Sequence, residues 1–524
     1  MKYPIGIQTF EYIRENNFVY VDKTALVYQL AKEGTIYFLS RPRRFGKSLL
    51  ISTLEAYFEG RKELFNGLAL EKLEKDWTCH PVFHLDFNGD NFNKEHVLED
   101  KIEGFIAQNE RKYGKDPDLI TMGDRFQSVL RHAYEQTGQR VVVLIDEYDK
   151  PILDVLDTPM EEKNRETLKS FYSTFKGADR YLRFVMLTGV TKFSQVSVFS
   201  GFNQPNDISM DERYEALCGI TQEELEHYFA EAIVQMSEEE GCTLDEMKSL
   251  LKAQYDGYHF SKRMQDIYNP FSILNAFSKL SIGDYWFASG TPTYLVKLLR
   301  HNNEQINELT GKYYDASLFA DYKADVERPL PMIYQSGYFT IKGYDRRRRR
   351  YLLDFPNDEV RKGFLSVLAA GYLRPRHEEV TSWVADAVDL LEDGQTDALR
   401  DSFTAFLSDI PYDAHASTRT PELSEKHFQY TFYLILRLMG VYCLRIEQTQ
   451  SLGRVDCILE TPAYIYIFEF KLDGTADEAL LQIEEKGYAT PYLTDKREVV
   501  RIGVVFSSQT RTIAEWKEER KGNK

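Results

Sequence analysis

Five consecutive apolar residues, Val141-Val142-Val143-Leu144-Ile145, run without interruption into two carboxylates, Asp146 and Glu147. A strand that is apolar at every position cannot leave one face in water. It belongs in a sheet covered on both sides, as parallel strands joined by helical crossovers are. Thr35-Ile36-Tyr37-Phe38-Leu39-Ser40, Pro81-Val82-Phe83-His84-Leu85-Asp86-Phe87 and Leu182-Arg183-Phe184-Val185-Met186-Leu187 repeat the pattern, with helical segments between them. Together they predict a first α/β unit over roughly residues 1–220.

The chain of 524 residues has room for further units, since a domain takes about 150 residues. With 34 Tyr and 33 Phe, disorder is excluded as a description of the whole. A net charge of −17 excludes a broad basic coat for nucleic acid but leaves room for a concentrated basic site. The five cysteines (Cys79, Cys218, Cys242, Cys443, Cys457) are scattered and form no CxxC, which supports neither a disulfide framework nor a zinc ribbon. The start, Met1-Lys2-Tyr3-Pro4-Ile5-Gly6, has no apolar core, and no stretch of about 20 apolar residues follows. The expectation is a reduced, soluble, cytoplasmic protein with no membrane partner.

Thr221, with Glu224 three residues on, reads as a capping box opening a mainly helical region to about residue 300. Residues 331–337 then read as a helix end, 338–341 as a strand and 349–353 as its hairpin partner, which is the outline of a winged helix. Residues 376–410 read as helical connection. A second α/β unit follows from about 415: helix 424–439, strands 441–447, 454–459 and 464–471, helix 476–489 and strand 500–506.

Two stretches carry chemistry. Ser40-Arg41-Pro42-Arg43-Arg44-Phe45-Gly46-Lys47-Ser48-Leu49 joins a strand to a helix. Gly46 lets backbone close around phosphate oxygens, Lys47 neutralises the β/γ phosphates, and Ser48 offers a hydroxyl to Mg²⁺. The N–H groups of the helix that follows add a fixed positive end. Position 41, where the usual pattern has its first Gly, is Arg. Asp146 would hold the same Mg²⁺ and Glu147 would orient and deprotonate the attacking water. Arg41, Arg43 and Arg44 either meet nucleotide phosphates, serve a neighbouring subunit (which would demand a homo-oligomer), or form a solvated basic loop. Thr188 either senses the γ-phosphate or simply ends its strand. In the C-terminal unit, Gly453-Arg454-Val455-Asp456 precedes Glu469-Phe470-Lys471 by one strand. Glu469 and Lys471 share a strand face. Asp456 and Glu469 would hold Mg²⁺ or Mn²⁺, and the metal with Lys471 would stabilise a pentacoordinate phosphate. Gln482, with Lys486 four residues on, would complete the wall of the site.

Pro4-Ile5-Gly6-Ile7-Gln8-Thr9-Phe10, Tyr20-Val21-Asp22-Lys23-Thr24, Phe38 to Ser48 and Asn269-Pro270-Phe271-Ser272-Ile273 make the first 290 or so residues similar to the AAA-ATPase-like proteins abundant in gut bacteria and other anaerobes. That resemblance implies a P-loop ATPase core with a helical lid, accepts Arg at position 41, and implies that Phe10, Asp22 and Lys23 lie near the nucleotide. From the residues alone, Asp22-Lys23-Thr24 could equally cap the next helix. The C-terminal pattern resembles the PD-(D/E)xK nuclease superfamily through Asp456, Glu469, Lys471 and the segment Gln482 to Tyr488, with Val455 where the family has Pro. The resemblance adds an acidic residue on the first helix, for which Glu425 is the best match and Glu447 the next.

Three features remain. Arg346 to Arg350, at the expected hairpin tip, either hold nucleic-acid phosphates without reading sequence or pair with Asp345 and Asp354. The ten histidines show no HExxH spacing. Tyr255-Asp256-Gly257-Tyr258-His259-Phe260 reads as lid packing rather than a base-stacking platform. The expected fold is α/β multidomain, with a P-loop AAA-type ATPase core carrying Walker A and Walker B elements (1–220), a helical lid (221–305), a winged-helix-like and helical connector (306–410) and a C-terminal PD-(D/E)xK-type α/β domain (411–524). The expected cofactors are ATP and Mg²⁺ and the expected partner is DNA. One reading couples ATP hydrolysis to metal-dependent DNA cleavage. The other is a nucleotide-dependent switch whose C-terminal fold binds nucleic acid or a partner without cutting. A metabolite kinase is disfavoured, because it leaves the C-terminal third unexplained.

Overall fold

The computed structural model describes residues 1–193, 205–289, 295, 299, 306–320, 329–373, 377–408, 443–450, 453–492, 494–510 and 512–521. The chain divides into two compact units, one of residues 1–290 with 298–360 and one of 291–297 with 361–524.

The first unit is built on five strands: β1 (Ile36–Ser40), β2 (Val82–Asp86), β3 (Val141–Asp146), β4 (Leu182–Gly189) and β5 (Asn206–Asp207). They pair in the order β2-β3-β4-β1-β5, every pair parallel. The uninterrupted apolar runs become the central strands, and every residue of β3 is buried. Helices Lys47–Phe58, Val97–Tyr113, Met122–Thr137 and Met160–Ser173 form the crossovers. Because β4 lies between β1 and β3, Thr188, one residue before the end of β4, stands between the loop after β1 and the acids after β3.

A clasp of β6 (Ile220–Thr221) and β7 (Ile267–Tyr268) frames the next helices, Gln222–Tyr228, Ala230–Glu239, Leu244–Tyr255 and Pro270–Lys279. The capping box at Thr221 and Glu224 is present in both directions. The helices close over a core of Leu225, Phe229, Ile233, Met236, Leu251, Tyr255 and Phe277. A three-stranded antiparallel sheet follows, β8 (Lys312–Tyr314), β9 (Thr340–Asp345) and β10 (Arg350–Asp354), in the order β8-β10-β9. The sequence predicts only the hairpin. Three residues are too few for β8 to show a period of two.

The second unit holds β11 (Cys443–Gln450), β12 (Gly453–Glu460), β13 (Tyr464–Leu472), β14 (Glu498–Phe506) and β15 (Ile513–Lys521), paired in that order. Only β13 and β14 run parallel, and helix Ala476–Glu485 crosses between them. The expected helix 424–439 lies outside the described residues. β15 was not expected: it is rich in Glu, Lys and Arg, as an edge strand that must resist pairing with another chain is. Helices His377–Glu392 and Thr396–Ser408 pack in this unit, with the Tyr466 hydroxyl donating to the Leu391 carbonyl at 2.7 Å.

Candidate active sites

The loop after β1 is shaped by two residues in the left-handed region, Arg44 (φ 67°) and Gly46 (φ 92°). Gly46 is the N-cap of helix Lys47–Phe58, and having no side chain it leaves the first N–H groups of that helix without a capping acceptor. Lys47 is 3% exposed. Its Nζ donates to the carbonyls of Arg41 at 3.1 Å and Pro42 at 3.2 Å and lies 3.8 Å from Glu147 Oε1. A cleft of about 470 Å³ opens here, within the range of small-molecule sites. Arg43, Arg44, Gly46, Lys47, Ser48, Leu49 and Glu147 line it. Phe45 points the other way, its ring 4.8 Å from Tyr258 and 5.6 Å from Phe260, so the aromatic segment after residue 255 packs and anchors the loop. Trp286 fixes the loop from another side, Nε1 donating to the Arg43 carbonyl at 2.9 Å.

Asp146 is buried at the end of β3, its Oδ1 accepting the Thr188 hydroxyl and the Glu147 N–H. Thr188 therefore ties β4 to the acid rather than merely ending its strand. Glu147 adopts φ 54°, a strained conformation for a side-chain-bearing residue at a cleft. Asp149 is fully buried, and its Oδ2 accepts the N–H groups of Val190 and Thr191 and the Thr191 hydroxyl at 2.6–3.0 Å. Burial, with Glu147 nearby, pushes its carboxyl up to about 6. Sequence reasoning passed over Asp149, although three carboxylates in four residues were visible there.

Arg41 is no phosphate contact and no solvated charge. It is 1% exposed, donates to the carbonyls of Ser40, Ser209 and Tyr214, and lies 4.0 Å over the Phe260 ring. Arg43 and Arg44 remain exposed, Arg44 over Phe271 at 5.0 Å. Phe10, Asp22 and Lys23 do not line the cleft. Phe10 packs on Tyr20 and Phe65, Asp22 caps Thr24 at 2.8 Å, and Lys23 pairs with Glu224 at 2.5 Å. The cleft instead takes Pro4 to Gln8, with Pro270 and Phe271, from the same motifs that carried the resemblance, and Leu274 just beyond them.

In the second unit the β12–β13 ladder ends at the pair Cys457 and Phe468, and Asp456 and Glu469 follow directly on from these two residues. Asp456 Oδ2 accepts the Phe470 N–H at 2.9 Å. Glu469 is 1% exposed. Its Oε1 accepts the Gln482 amide and lies 3.6 Å from Lys471 Nζ, which donates to Gln482 Oε1 at 2.7 Å. Its Oε2 is buried and has no hydrogen-bond partner among the described residues. Burial first, then Asp456, pushes the Glu469 carboxyl up to about 8. An orphaned carboxylate oxygen beside a second carboxylate fits a divalent cation. Among the described residues no three His, Cys, Asp or Glu side chains converge as a metal cluster. Glu425, and the side chain of Glu447 on β11, lie outside the described residues. Lys486 is exposed beyond the helix end, and Tyr488 is buried in the core.

Residues 4–199 match the family described as "Predicted AAA-ATPase", and residues 423–516 match the PD-(D/E)XK nuclease superfamily. The fold and the two matches thus define an AAA-type, ATPase-like chain with a nuclease-superfamily domain. An "Uncharacterized protein in vnfD 5'region" of Azotobacter chroococcum mcd 1 is 37% identical over 519 residues, covering 98% of each chain. The chain belongs to this AAA-ATPase-like family. Among solved structures, the Aeropyrum pernix ORC2 protein in ADPNP-ADP complexes is 12% identical with a TM-score of 0.24, over 81% of this chain and 86% of that one. The Aeropyrum pernix ORC1 protein in complex with DNA is 10% identical with a TM-score of 0.24, over 66% and 92%. Among the described residues, no helix is long and apolar enough to cross a membrane.

Proposed function

We propose that the chain hydrolyses ATP in the N-terminal cleft and uses that cycle to license metal-dependent cleavage of DNA by its C-terminal domain. The observation that carries the second half is the buried Glu469 Oε2 beside Asp456, without a hydrogen-bond partner among the described residues, with Lys471 and Gln482 gathered on the other oxygen. A cation bound by Asp456 and Glu469 would supply the charge that stabilises the phosphodiester transition state and acidifies a water. Lys471 holds the scissile phosphate, and Gln482 orients Lys471 and Glu469. In the first site Lys47 exchanges its carbonyl partners for phosphate oxygens, and Glu147, released from Lys47, deprotonates the attacking water. Mg²⁺ on Ser48 and Asp146 would neutralise the phosphates there. This reading divides the chain into core (1–220), lid (221–305), winged-helix-like connector (306–410) and nuclease (411–524), in a cytoplasmic bacterial protein.

A non-cutting switch is favoured by one observation, the lack of a third convergent ligand among the described residues. The test is a nuclease assay over single-stranded, duplex and branched substrates, with and without ATP and Mg²⁺ or Mn²⁺. Cleavage by the wild type supports the first reading. Absence of cleavage with every metal sinks its nuclease half, and absence of Mn²⁺ binding at Asp456 and Glu469 together with tight DNA binding establishes the switch.

A further inference from the structure

The arginine run is unused by either site. Arg346 to Arg349 form the turn between β9 and β10, Arg350 opens β10, and all five are exposed. The turn is braced: Asp345 Oδ1 accepts the N–H groups of Arg347 at 2.9 Å and Arg348 at 3.0 Å. Two of the five charges are answered, Arg348 by Asp345 at 3.1 Å and Arg350 by Asp315 at 3.4 Å. Asp354, the other acid near in sequence, instead accepts the Phe355 N–H. Among the described residues Arg346, Arg347 and Arg349 have no carboxylate within 4 Å, so three guanidinium groups stand free on one loop of a chain whose net charge is −17.

The root of the hairpin is clamped. Lys342 donates to the carbonyls of Gly257 at 2.9 Å and Pro356 at 2.6 Å, and Thr340 donates to the His259 carbonyl at 2.8 Å. One sheet face is anchored through Tyr351 on Phe319, which is fully buried. On the other, Gly343 leaves room for Tyr313, whose hydroxyl lies 3.8 Å from where a Cβ at 343 would be. Tyr313 is 49% exposed. The unit presents a fixed cationic tip with an aromatic ring on the adjoining open face.

We propose that this hairpin is a docking site for the sugar-phosphate backbone of DNA, engaged by Arg346, Arg347 and Arg349 without base readout. The proposal rests on the reading of the chain as acting on DNA. Arginine's planar fork matches phosphate oxygens two at a time, which three free guanidinium groups on a braced turn exploit. Exposed aromatic rings beside such charges suit nucleic acid, whose bases and sugars stack on them. An anionic bilayer fits less well, because the tip residues Arg346 to Arg350 include no apolar side chain to enter the interface. The acidic remainder is screened from a bound strand beyond about 8–10 Å at physiological salt.

The test is fluorescence anisotropy of the full chain on a labelled 30-mer, duplex and single-stranded, in EDTA without nucleotide, over a salt series. The variant is Arg346→Ser/Arg347→Ser/Arg349→Ser, and Arg346→Lys/Arg347→Lys/Arg349→Lys controls for charge. The serine variant is expected to lose on the order of 10–100-fold in affinity and about 2–3 in the slope of log K against log salt, near 0.7–0.9 per phosphate contact. The lysine variant should keep the slope, and both should keep wild-type ATPase rates. No DNA binding by the wild type, or an unchanged slope in the serine variant, overturns the proposal. So does arginine-dependent binding to phosphatidylserine vesicles without binding to DNA. Because the assay excludes metal, arginine-dependent binding with no cleavage in any metal leaves the docking site standing and removes only the nuclease reading.

Discussion

The two site-bearing helices begin in opposite ways. Helix Lys47–Phe58 is entered through Gly46 in a left-handed conformation, with no side chain to cap it. Helix Ala476–Glu485 is entered through Thr475, which accepts the Glu478 N–H at 3.2 Å while Glu478 accepts the Thr475 N–H at 3.0 Å. An uncapped end keeps its N–H groups for an incoming anion; a fully capped end has spent them and serves as a rigid mount. The first helix therefore offers its start, at Lys47 and Ser48. The second offers a residue two turns in, Gln482. Both lysines follow the same contrast: Lys47 rests on backbone carbonyls that a phosphate can displace, whereas Lys471 is held by a side-chain amide.

The largest effects test whether the two helices serve separate chemistries. Lys47→Ala should lower ATP turnover by about 10²–10³-fold, and Lys471→Ala should lower metal-dependent cleavage by a similar factor while leaving ATPase intact. Loss of ATPase in Lys471→Ala would show that the sites are not independent in the way their construction suggests.

A third helix start sharpens the comparison. In Tyr285–Ala288 the N–H groups of Trp286 and Phe287 go to a distant carboxylate, Glu359, which also accepts the Ser272 hydroxyl at 2.7 Å. Burial, with Asp284 adding to it, pushes Glu359 up to about 7. Since the folded value lies above the unfolded one of 4.5, the native state binds the extra proton and stability falls as pH rises from about 4.5 to 7. That difference corresponds to on the order of 3 kcal/mol. Glu359→Gln keeps an acceptor for both N–H groups, so its thermal unfolding should lose this part of the slope and exceed wild type at pH 8. Parallel profiles from pH 5 to 8 would show that Glu359 does not titrate in that window.

Much of this was legible beforehand for a physical reason. Strands apolar at every position admit one environment, so β1 to β4 could be read directly, and Asp456, Glu469, Lys471 and Gln482 sit on elements whose period places them. Arg41 was misplaced because a charge in a basic loop reads as solvated until tertiary contacts supply the carbonyls of Ser40, Ser209 and Tyr214. Phe10, Asp22 and Lys23 share a motif region with the cleft residues, and sequence proximity cannot say which side of a helix faces a cavity. β15 escaped because a charged edge strand lacks the apolar alternation that marks a buried one.

Gly46 gives the next effect. Its φ of 92° is a region that side-chain-bearing residues seldom adopt, yet nothing lies within 4 Å of where a Cβ would be. Gly46→Ala therefore carries backbone strain of about 1–2 kcal/mol without a clash. ATP affinity by calorimetry should fall by roughly tenfold, with the fold retained. Unchanged affinity would mean that the left-handed entry is not what shapes the phosphate loop.

The smallest effect tests the capped end. Thr475→Ala removes the acceptor for the Glu478 N–H and half of a reciprocal pair, which typically costs about 1 kcal/mol. Gln482 lies two turns along the same helix, so the loss should reach cleavage only through fraying, as a fall of a few-fold that Thr475→Ser restores by supplying a hydroxyl again. ATP turnover should not move. If Thr475→Ala lowered cleavage as far as Lys471→Ala, the start of this helix would itself be part of the phosphate site, and the distinction between an offered and a spent helix end would fail for the second unit.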